Sequence, residues 1–139
     1  MKVAAEPLFI ALRNPTPVTP EGANAAFESV DGTQLFYSRN GSIWSKPVEG
    51  GKERELVTGL NSWSDFAVVD EGIFYVLQAT PGGRQSIQFY KFATGTSSAI
   101  VTLERPLFVG LTASADGRSI LYSQVDRDES DLMIADLPQ

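Results

Sequence analysis

The chain has 139 residues, 42% of them hydrophobic, and a formal net charge of −6, which fits one folded domain with a real core. It contains neither cysteine nor histidine. Disulfides, thiolate or imidazole catalysis and Cys/His metal sites are therefore excluded, and we expect no cofactor and no metal. The acidic balance, without any Lys/Arg cluster, argues against nucleic acid as a partner.

The amino-terminal segment lacks the pattern of a signal peptide or a membrane span. Met1 to Ala5 begins like a signal peptide, but Glu6 and Pro7 interrupt it before an apolar region forms. The nearest apolar run, Leu8 to Leu12, is far shorter than the ~20 residues of a spanning helix. We therefore expect no membrane insertion.

Three similar units follow one another along the rest of the chain. Each begins with a Val-Thr pair: Val18-Thr19, Val57-Thr58 and Val101-Thr102. Each continues with an acidic-Gly turn: Asp31-Gly32, Glu71-Gly72 and Asp116-Gly117. Each then has a β-prone triplet: Leu35-Phe36-Tyr37, Ile73-Phe74-Tyr75 and Ile120-Leu121-Tyr122. A recurrence of three markers in the same order at about 40 residues indicates a tandem structural repeat.

Short strands separated by turn residues are predicted within each unit. The first unit has Ala25–Val30, Gln34–Ser38, Ile43–Val48 and Glu55–Thr58. The second has Asp65–Val69, Ile73–Gln78, Ser86–Phe92 and Ser97–Leu103. The third has Leu111–Ser114, Ser119–Gln124 and Asp131–Ala135, and lacks a fourth strand. Asp31-Gly32 and Asn40-Gly41 predict two-residue hairpins, because both pairs adopt positive φ angles readily.

Helix competes with strand in only two places, Val3–Leu12 and Glu21–Glu28, and both are too short to be stable alone. The predicted class is therefore all-β. Four antiparallel strands in a repeat of about 40–45 residues are typical of a β-propeller blade. We predict a single partial propeller over residues 1–139, with blades at about 20–60, 61–105 and 106–139 and an outer strand from residues 8–19.

The third unit also resembles a known family. Thr112 to Ser123 contains Ser-Ala-Asp-Gly-Arg before an apolar-Tyr-Ser strand, and Asp131 to Leu137 follows it. This is similar to the blade motif of TolB-type, WD-repeat-like bacterial propellers, which usually has Pro where Ala115 stands. The resemblance implies a ring of six or more blades, of which this chain looks like a carboxyl-terminal three-blade fragment. It implies a binding module, in the periplasm or the cytoplasm of a bacterium.

The candidate ligand-binding residues are Trp63, Asp65 and Arg39. Trp63 lies in the connection that enters the second blade, where propeller ligands commonly dock, so it predicts either a recognition surface or packing between blades. Trp44 and Tyr90 are interpreted as core residues at equivalent third-strand positions. No catalytic residue is predicted, because Ser64 and Ser114 have no histidine partner.

Acidic residues are interpreted as structural. Asp65, Asp70, Glu71 and Asp116 include enough carboxylates for glycoside hydrolysis, but three of the four occupy turns. The oxygen-rich loop from Asp126 to Asp131 lacks the glycine and the bidentate glutamate of a calcium loop, and it predicts a solvated hairpin.

The sequence thus predicts a non-enzymatic module that binds a protein or small ligand on a loop face, at the end of a larger bacterial sensor or regulator. The alternative is the propeller accessory domain of a prolyl-oligopeptidase-like hydrolase. Three blades are too few to close a ring, so we also expect a homodimer that completes six blades head to tail. Leu8–Leu12 is a candidate for a strand donated between copies.

Overall fold

The protein is described by a computed structural model covering residues 15–126 and 129–138. Within these ranges it consists of strands and turns, and it contains no helix that could cross a membrane. Blade 1 comprises β1 (Ala26–Glu28), β2 (Gln34–Arg39), β3 (Ser42–Pro47) and β4 (Arg54–Thr58). Blade 2 comprises β5 (Phe66–Val68), β6 (Gly72–Leu77), β7 (Ser86–Lys91) and β8 (Thr96–Thr102). Blade 3 comprises β9 (Leu107–Ala113), β10 (Ser119–Asp126) and β11 (Glu129–Asp136).

Within each blade, strands that are consecutive in the chain pair antiparallel, which gives two four-stranded sheets and one three-stranded sheet. The first strands of the three blades lie near one another, with β5 contacting both β1 and β9. The predicted all-β class and the partial set of propeller blades are confirmed.

The repeated triplet determines how the blades pack. Successive residues of a strand point to opposite faces of the sheet. Phe36 of blade 1 and Tyr75 of blade 2 therefore meet in one apolar cluster, which also contains Ile43, Val57, Leu60, Phe66, Ile73 and Tyr90. Phe74 of blade 2 belongs to the next cluster, with Val69, Val76, Ile87, Leu103, Leu107, Leu111 and Ile120, and the half-buried Tyr122 of blade 3 packs against it. The middle residue of the triplet thus faces the following blade in blades 1 and 2, and the tyrosine faces the preceding blade in blades 2 and 3.

The two turns predicted in blade 1 differ in geometry. Asn40 (φ 52°) and Gly41 (φ 74°) form the predicted two-residue hairpin. In the Asp31-Gly32 turn only Gly32 has a positive φ, and Ser29 N donates to Gln34 O at 2.8 Å, so four residues connect the strands. The prediction of a two-residue hairpin there was wrong, because the side chains of this turn stabilise a wider one.

Those side chains form the same hydrogen bonds in blades 1 and 3. Ser29 Oγ and Thr33 N donate to Asp31 Oδ1 at 2.6 and 3.0 Å. In blade 3, Ser114 Oγ and Arg118 N donate to Asp116 Oδ1 at 2.6 and 3.0 Å. These hydrogen bonds lower the pKa of Asp31 to about 2 and lower that of Asp116 as well, since they stabilise the ionised carboxylate.

In blade 2 the corresponding turn is shifted by one residue. The turn residues are Asp70 and Glu71, closed by a 2.9 Å hydrogen bond from Val69 N to Gly72 O, so the predicted Glu71-Gly72 turn was wrong. Gly72 begins β6 instead. A Cβ atom on Gly72 would lie 2.1 Å from the carbonyl oxygen of Tyr90, so glycine is required there by the close approach of β7.

The predicted outer strand at residues 8–19 is not observed in its described part. Val18 and Thr19 are outside any strand, whereas Val57-Thr58 and Val101-Thr102 lie within or at the end of β4 and β8. Pro17 and Pro20 flank this pair and cannot donate to a ladder, and Gly22 N bonds to Thr19 O in a turn. Glu21–Glu28, where helix competed with strand in the sequence, contains no helix, and its last three residues form β1, in keeping with the predicted all-β class. Leu8–Leu12 and Val3–Leu12 lie outside the described residues.

We predict that Asp31→Asn weakens the dependence of stability on acid. A carboxylate whose pKa is lower in the folded state stabilises the fold above its unfolded pKa of 3.8, and that contribution is lost as the pH falls towards 2. Urea unfolding midpoints measured from pH 6 to pH 2 should therefore fall less steeply for Asp31→Asn than for the unmodified chain.

The matched control is Asp70→Asn, in the corresponding turn of blade 2. Unlike Asp31 and Asp116, the carboxylate of Asp70 accepts no hydrogen bond from the residues that the structure describes. This variant should leave the pH profile as it is. Identical profiles for Asp31→Asn and the unmodified chain would contradict the prediction.

Candidate functional site

The connection between blades 1 and 2 is held in one conformation by backbone and side-chain hydrogen bonds. Leu60 N donates to Gly41 O, and Asn61 N donates to Val76 O, both at 2.9 Å. Ser38 Oγ of β2 donates to the carbonyl oxygen of Trp63 at 2.7 Å. The connection therefore belongs to the same end of the sheets as the Asn40-Gly41 turn, and its backbone is fixed from both blades.

Trp63 presents its side chain to solvent from this anchored connection. Its exposed fraction is 56%, so packing between blades, which the sequence left open, is not how the structure uses it. An exposed indole on a fixed backbone can make a large contact at little conformational cost.

Two further exposed aromatic residues were not predicted as candidates from the sequence. Phe27 lies on β1 and Phe108 on β9, the first strands of blades 1 and 3, and both are exposed. The Phe27 ring also meets Phe66 edge to face, with centroids 5.1 Å apart. Neither residue stands in a turn or repeat motif, which is why the repeat pattern did not single them out.

Asp65 is fully buried, with an exposed fraction of 0%. One carboxylate oxygen accepts a hydrogen bond from the side-chain amide of Asn61 at 2.8 Å. The other accepts from the backbone N–H of Gly110 in blade 3 at 2.9 Å. Gln85 works in the same way, accepting from Leu107 N at 2.7 Å while donating to Asn61 Oδ1 at 2.8 Å. Asp65 and Gln85 of blade 2 thus hold the backbone of β9.

Arg39 is also buried, and it faces away from Trp63. It follows Ser38 on β2, so its side chain lies on the opposite face of the sheet. Its guanidinium donates to the Glu53 carboxylate at 2.9 Å, and this hydrogen bond lowers the pKa of Glu53. The guanidinium carbon also lies over the Trp44 ring, 4.3 Å from its centroid. Burial, with the charge of Glu53, raises the pKa of the neighbouring Tyr37 to about 12.

The structure therefore separates the three candidate ligand-binding residues. Trp63 is on the surface, Asp65 is inside the joint between blades 2 and 3, and Arg39 is on the outer face of blade 1. That they bind a common ligand stays a prediction, and of the three only Trp63 offers an exposed side chain.

The interpretation of Trp44 and Tyr90 as equivalent positions was wrong by two residues. Trp44 pairs with Tyr37 of its blade, whereas Tyr90 pairs with Ile73, the first residue of the blade 2 triplet. Tyr90 packs in the apolar cluster shared with blade 1, and Trp44 lies on the corresponding face of its own sheet, which is the outer face of blade 1. The sequence therefore predicted the correct face of the strand for both residues but not the correct pairing position. The longer β6–β7 loop accounts for this shift, because it displaces the third strand in the sequence.

Three of the four carboxylates singled out from the sequence lie on one groove, away from Asp65. Asp70, Glu71 and Asp116 line a 210 Å³ groove between the turns of blades 2 and 3, at the end of the sheets opposite to Asp65. The pKa of Asp116 is lowered by its hydrogen bond from Ser114, so this carboxyl is ionised near neutral pH and is unsuited to act as a general acid. No group of three or more metal-binding side chains occurs among residues 15–126 and 129–138.

No protein-family model matches the chain, and no curated protein matches it significantly. Solved structures with the same fold do exist. TolB from Acinetobacter baumannii matches with a TM-score of 0.67 and 10% identity over 83% of this chain and 30% of its own. A putative TolB from Agrobacterium tumefaciens gives 0.65 and 17%, over 82% of this chain and 44% of its own. The tricorn protease gives 0.58 and 17%, over 80% of this chain and 12% of its own.

These likenesses establish the architecture as TolB-like propeller blades. The chain spans less than half the length of each of these three structures. The expected fold and the resemblance to TolB-type propellers are therefore confirmed, and identities of 10–17% are too low to transfer an activity.

We predict that Asp65→Ala destabilises the fold, since a lost hydrogen bond to a charged group costs about 1.5–3 kcal/mol. The free energy of unfolding from urea titration measures this. Trp63→Ala, two residues away but exposed, should change the same quantity by less than about 0.5 kcal/mol. An Asp65→Ala chain as stable as the unmodified one would contradict a structural role for this carboxylate.

Proposed function

We propose that the chain is a non-enzymatic binding module that recognises a protein segment or small ligand at the surface marked by Trp63. The observation that supports this most directly is the exposure of an indole on a backbone fixed by hydrogen bonds from both blades. Tryptophan in such a setting is typical of binding hot spots. The net charge of −6 favours neutral or basic partners over acidic ones.

The absence of histidine and cysteine from the whole sequence supports a binding role, because the usual nucleophile–base pairs cannot be assembled. The carboxylates are used in turns and in the joint between blades. As part of the same proposal we place the chain at the end of a larger bacterial sensor or regulator. What supports a larger protein is that the chain corresponds to only 30% and 44% of the two TolB chains.

The alternative is a propeller domain that accompanies a hydrolase. The observation that favours it is the similarity to part of the tricorn protease, over 80% of this chain. The neighbouring coding sequence distinguishes the two functions. A Gly-x-Ser-x-Gly segment in the same reading frame would support the hydrolase, because that motif presents the nucleophile in α/β-hydrolases.

Selection of peptides on the immobilised chain tests the binding proposal. We expect a displayed library of random peptides to yield binders whose affinity falls at least about 30-fold in Trp63→Ala, the loss of a hot spot worth 2 kcal/mol. Isothermal titration with a synthetic copy of the selected peptide gives the Kd for each variant.

Val48→Ala is the matched control, since Val48 is an exposed apolar residue of the β3–β4 turn, at the opposite end of the blade 1 sheet from the connection that holds Trp63. It should leave the Kd unchanged. Selection that yields no binder, or binders that do not distinguish Trp63→Ala from the unmodified chain, would overturn the proposal.

A further inference from the structure

A groove of 330 Å³ lies between blades 1 and 2, at the end of the sheets opposite to Trp63. Both sheets that form its walls are described in full, and the β1–β2 and β5–β6 turns lie at its inner end. We call it the inter-blade groove. Its volume lies at the lower end of the range of small-molecule sites, so it suits a small ligand.

The repeat shows why this groove is continuous. At the interface between blades 2 and 3, Phe89 pairs with Phe74, and the two ring centroids are 4.6 Å apart. Phe89 lines two separate grooves there, of 210 and 400 Å³. Ser45 occupies the same position in blade 1, since it pairs with Phe36 as Phe89 pairs with Phe74. Because serine has no ring, a single groove runs between blades 1 and 2 from the turns to β4.

The middle of the inter-blade groove is apolar. Phe36 of blade 1 and Phe92 of blade 2 stack on each other, with ring centroids 5.1 Å apart and an interplanar angle of 12°. Leu56 of β4 also lies on the wall and packs against the same apolar cluster. The middle of a ligand in this groove would therefore be apolar as well.

Charged side chains of opposite sign stand at the two ends of the groove. Asp31 and Asp70 lie in the β1–β2 and β5–β6 turns, whereas Arg54 lies on β4, the outermost strand of blade 1. Neighbouring strands are about 4.8 Å apart, so Arg54 is about 10 Å across the sheet from β2. The inner end of the groove therefore favours a cation, and the outer end favours an anion.

These charges have capacity left for a ligand. Arg54 forms no ion pair with the residues that the structure describes, and its one hydrogen bond to them is a long one of 3.4 Å to the Tyr90 hydroxyl. Within the same residues, the hydrogen bonds to Asp31 end on Oδ1 and leave Oδ2 without a donor. The Asp70 carboxylate accepts none from the described part of the chain.

We propose that the inter-blade groove binds a small zwitterion whose ammonium and carboxylate groups lie at opposite ends of an apolar middle, of which a free dipeptide is the simplest example. The ammonium group contacts Asp31 and Asp70, and the carboxylate pairs with Arg54. The apolar side chains lie against Phe36 and Phe92. An extended dipeptide spans about 7 Å, and the long arginine side chain covers the remaining distance. This inference does not depend on binding at Trp63, which is at the other end of the sheets.

Isothermal titration of the unmodified chain with the dipeptide Leu-Phe tests the proposal. We expect one site with a Kd between about 10 µM and 1 mM, the range that ligands of this size reach. Leu-Phe amide lacks the carboxylate, and N-acetyl-Leu-Phe lacks the ammonium group. Each should bind at least about tenfold more weakly, because each loses one charge-assisted contact.

Arg54→Gln identifies the carboxylate end of the site. It should weaken Leu-Phe at least about tenfold and leave the Kd of Leu-Phe amide unchanged, since the amide has no carboxylate to pair with Arg54. A purely structural role of Arg54 would weaken both ligands equally. Arg84→Gln is the matched control, because it removes the same charge from an exposed residue of the β6–β7 loop, outside the groove. It should bind both ligands as the unmodified chain does.

Ser45→Phe tests the groove itself. It places a ring where blade 2 has Phe89 and divides the groove, so binding of Leu-Phe should be lost. Urea unfolding checks that this variant keeps its fold. Asp70→Asn, an exposed turn residue, gives a second test: it should weaken Leu-Phe and leave the Kd of N-acetyl-Leu-Phe unchanged.

Three results overturn the proposal: no binding of Leu-Phe up to about 5 mM, equal Kd values for Leu-Phe and both analogues, or full binding by a folded Ser45→Phe chain. Trp63→Ala should bind Leu-Phe normally. Loss of binding in that variant would place the dipeptide at the Trp63 surface and would overturn the assignment to the groove. A failed peptide selection at Trp63 leaves these results untouched, so the two proposals fail separately.

Discussion

The structure depends on one constraint: a blade that carries apolar side chains on both faces needs a neighbouring sheet on each face to remove them from water. In this chain the alternation of side chains along a strand assigns every residue of the repeated triplet to one neighbour or the other. Phe36 and Phe74 pack forwards, and Tyr75 and Tyr122 pack backwards. Blade 2 is the only described sheet with blades on both sides, and its strand β6 is accordingly the most deeply buried. Blade 1 and blade 3 each have one such neighbour.

The polar contacts between blades complement this apolar packing. Asp65 and Gln85 satisfy the N–H groups of Gly110 and Leu107, at the edge strand of the next sheet. Buried polar groups are tolerated when they are fully hydrogen-bonded, and then they fix geometry that apolar contacts leave adjustable. The clusters therefore hold the blades together, while the hydrogen bonds determine how β9 is placed against blade 2.

Local sequence signals predicted the repeat, the strands and the Asn40-Gly41 hairpin, because turn chemistry and the period of two act over a few residues. They did not predict the shifted turn at Asp70-Glu71, since Gly72 is required by the approach of Tyr90, eighteen positions along the chain. The same limit applies to the candidate site. The exposure of Trp63 and the burial of Asp65 depend on how two blades meet, and nothing within the segment from Asn61 to Asp65 distinguishes them. Val18-Thr19 has the same two residues as the strand segments in β4 and β8. It forms no strand, because Pro17 and Pro20 on either side cannot donate ladder hydrogen bonds.

The hydrogen bonds from Asp65 and Gln85 to β9 have one more consequence. Both end on backbone N–H groups, which every residue except proline supplies. These contacts between blades 2 and 3 therefore depend on the position of the β9 backbone and not on the side chains of that strand. A strand held in this way can keep its position when its side chains change, because the hydrogen bonds that place it do not depend on them.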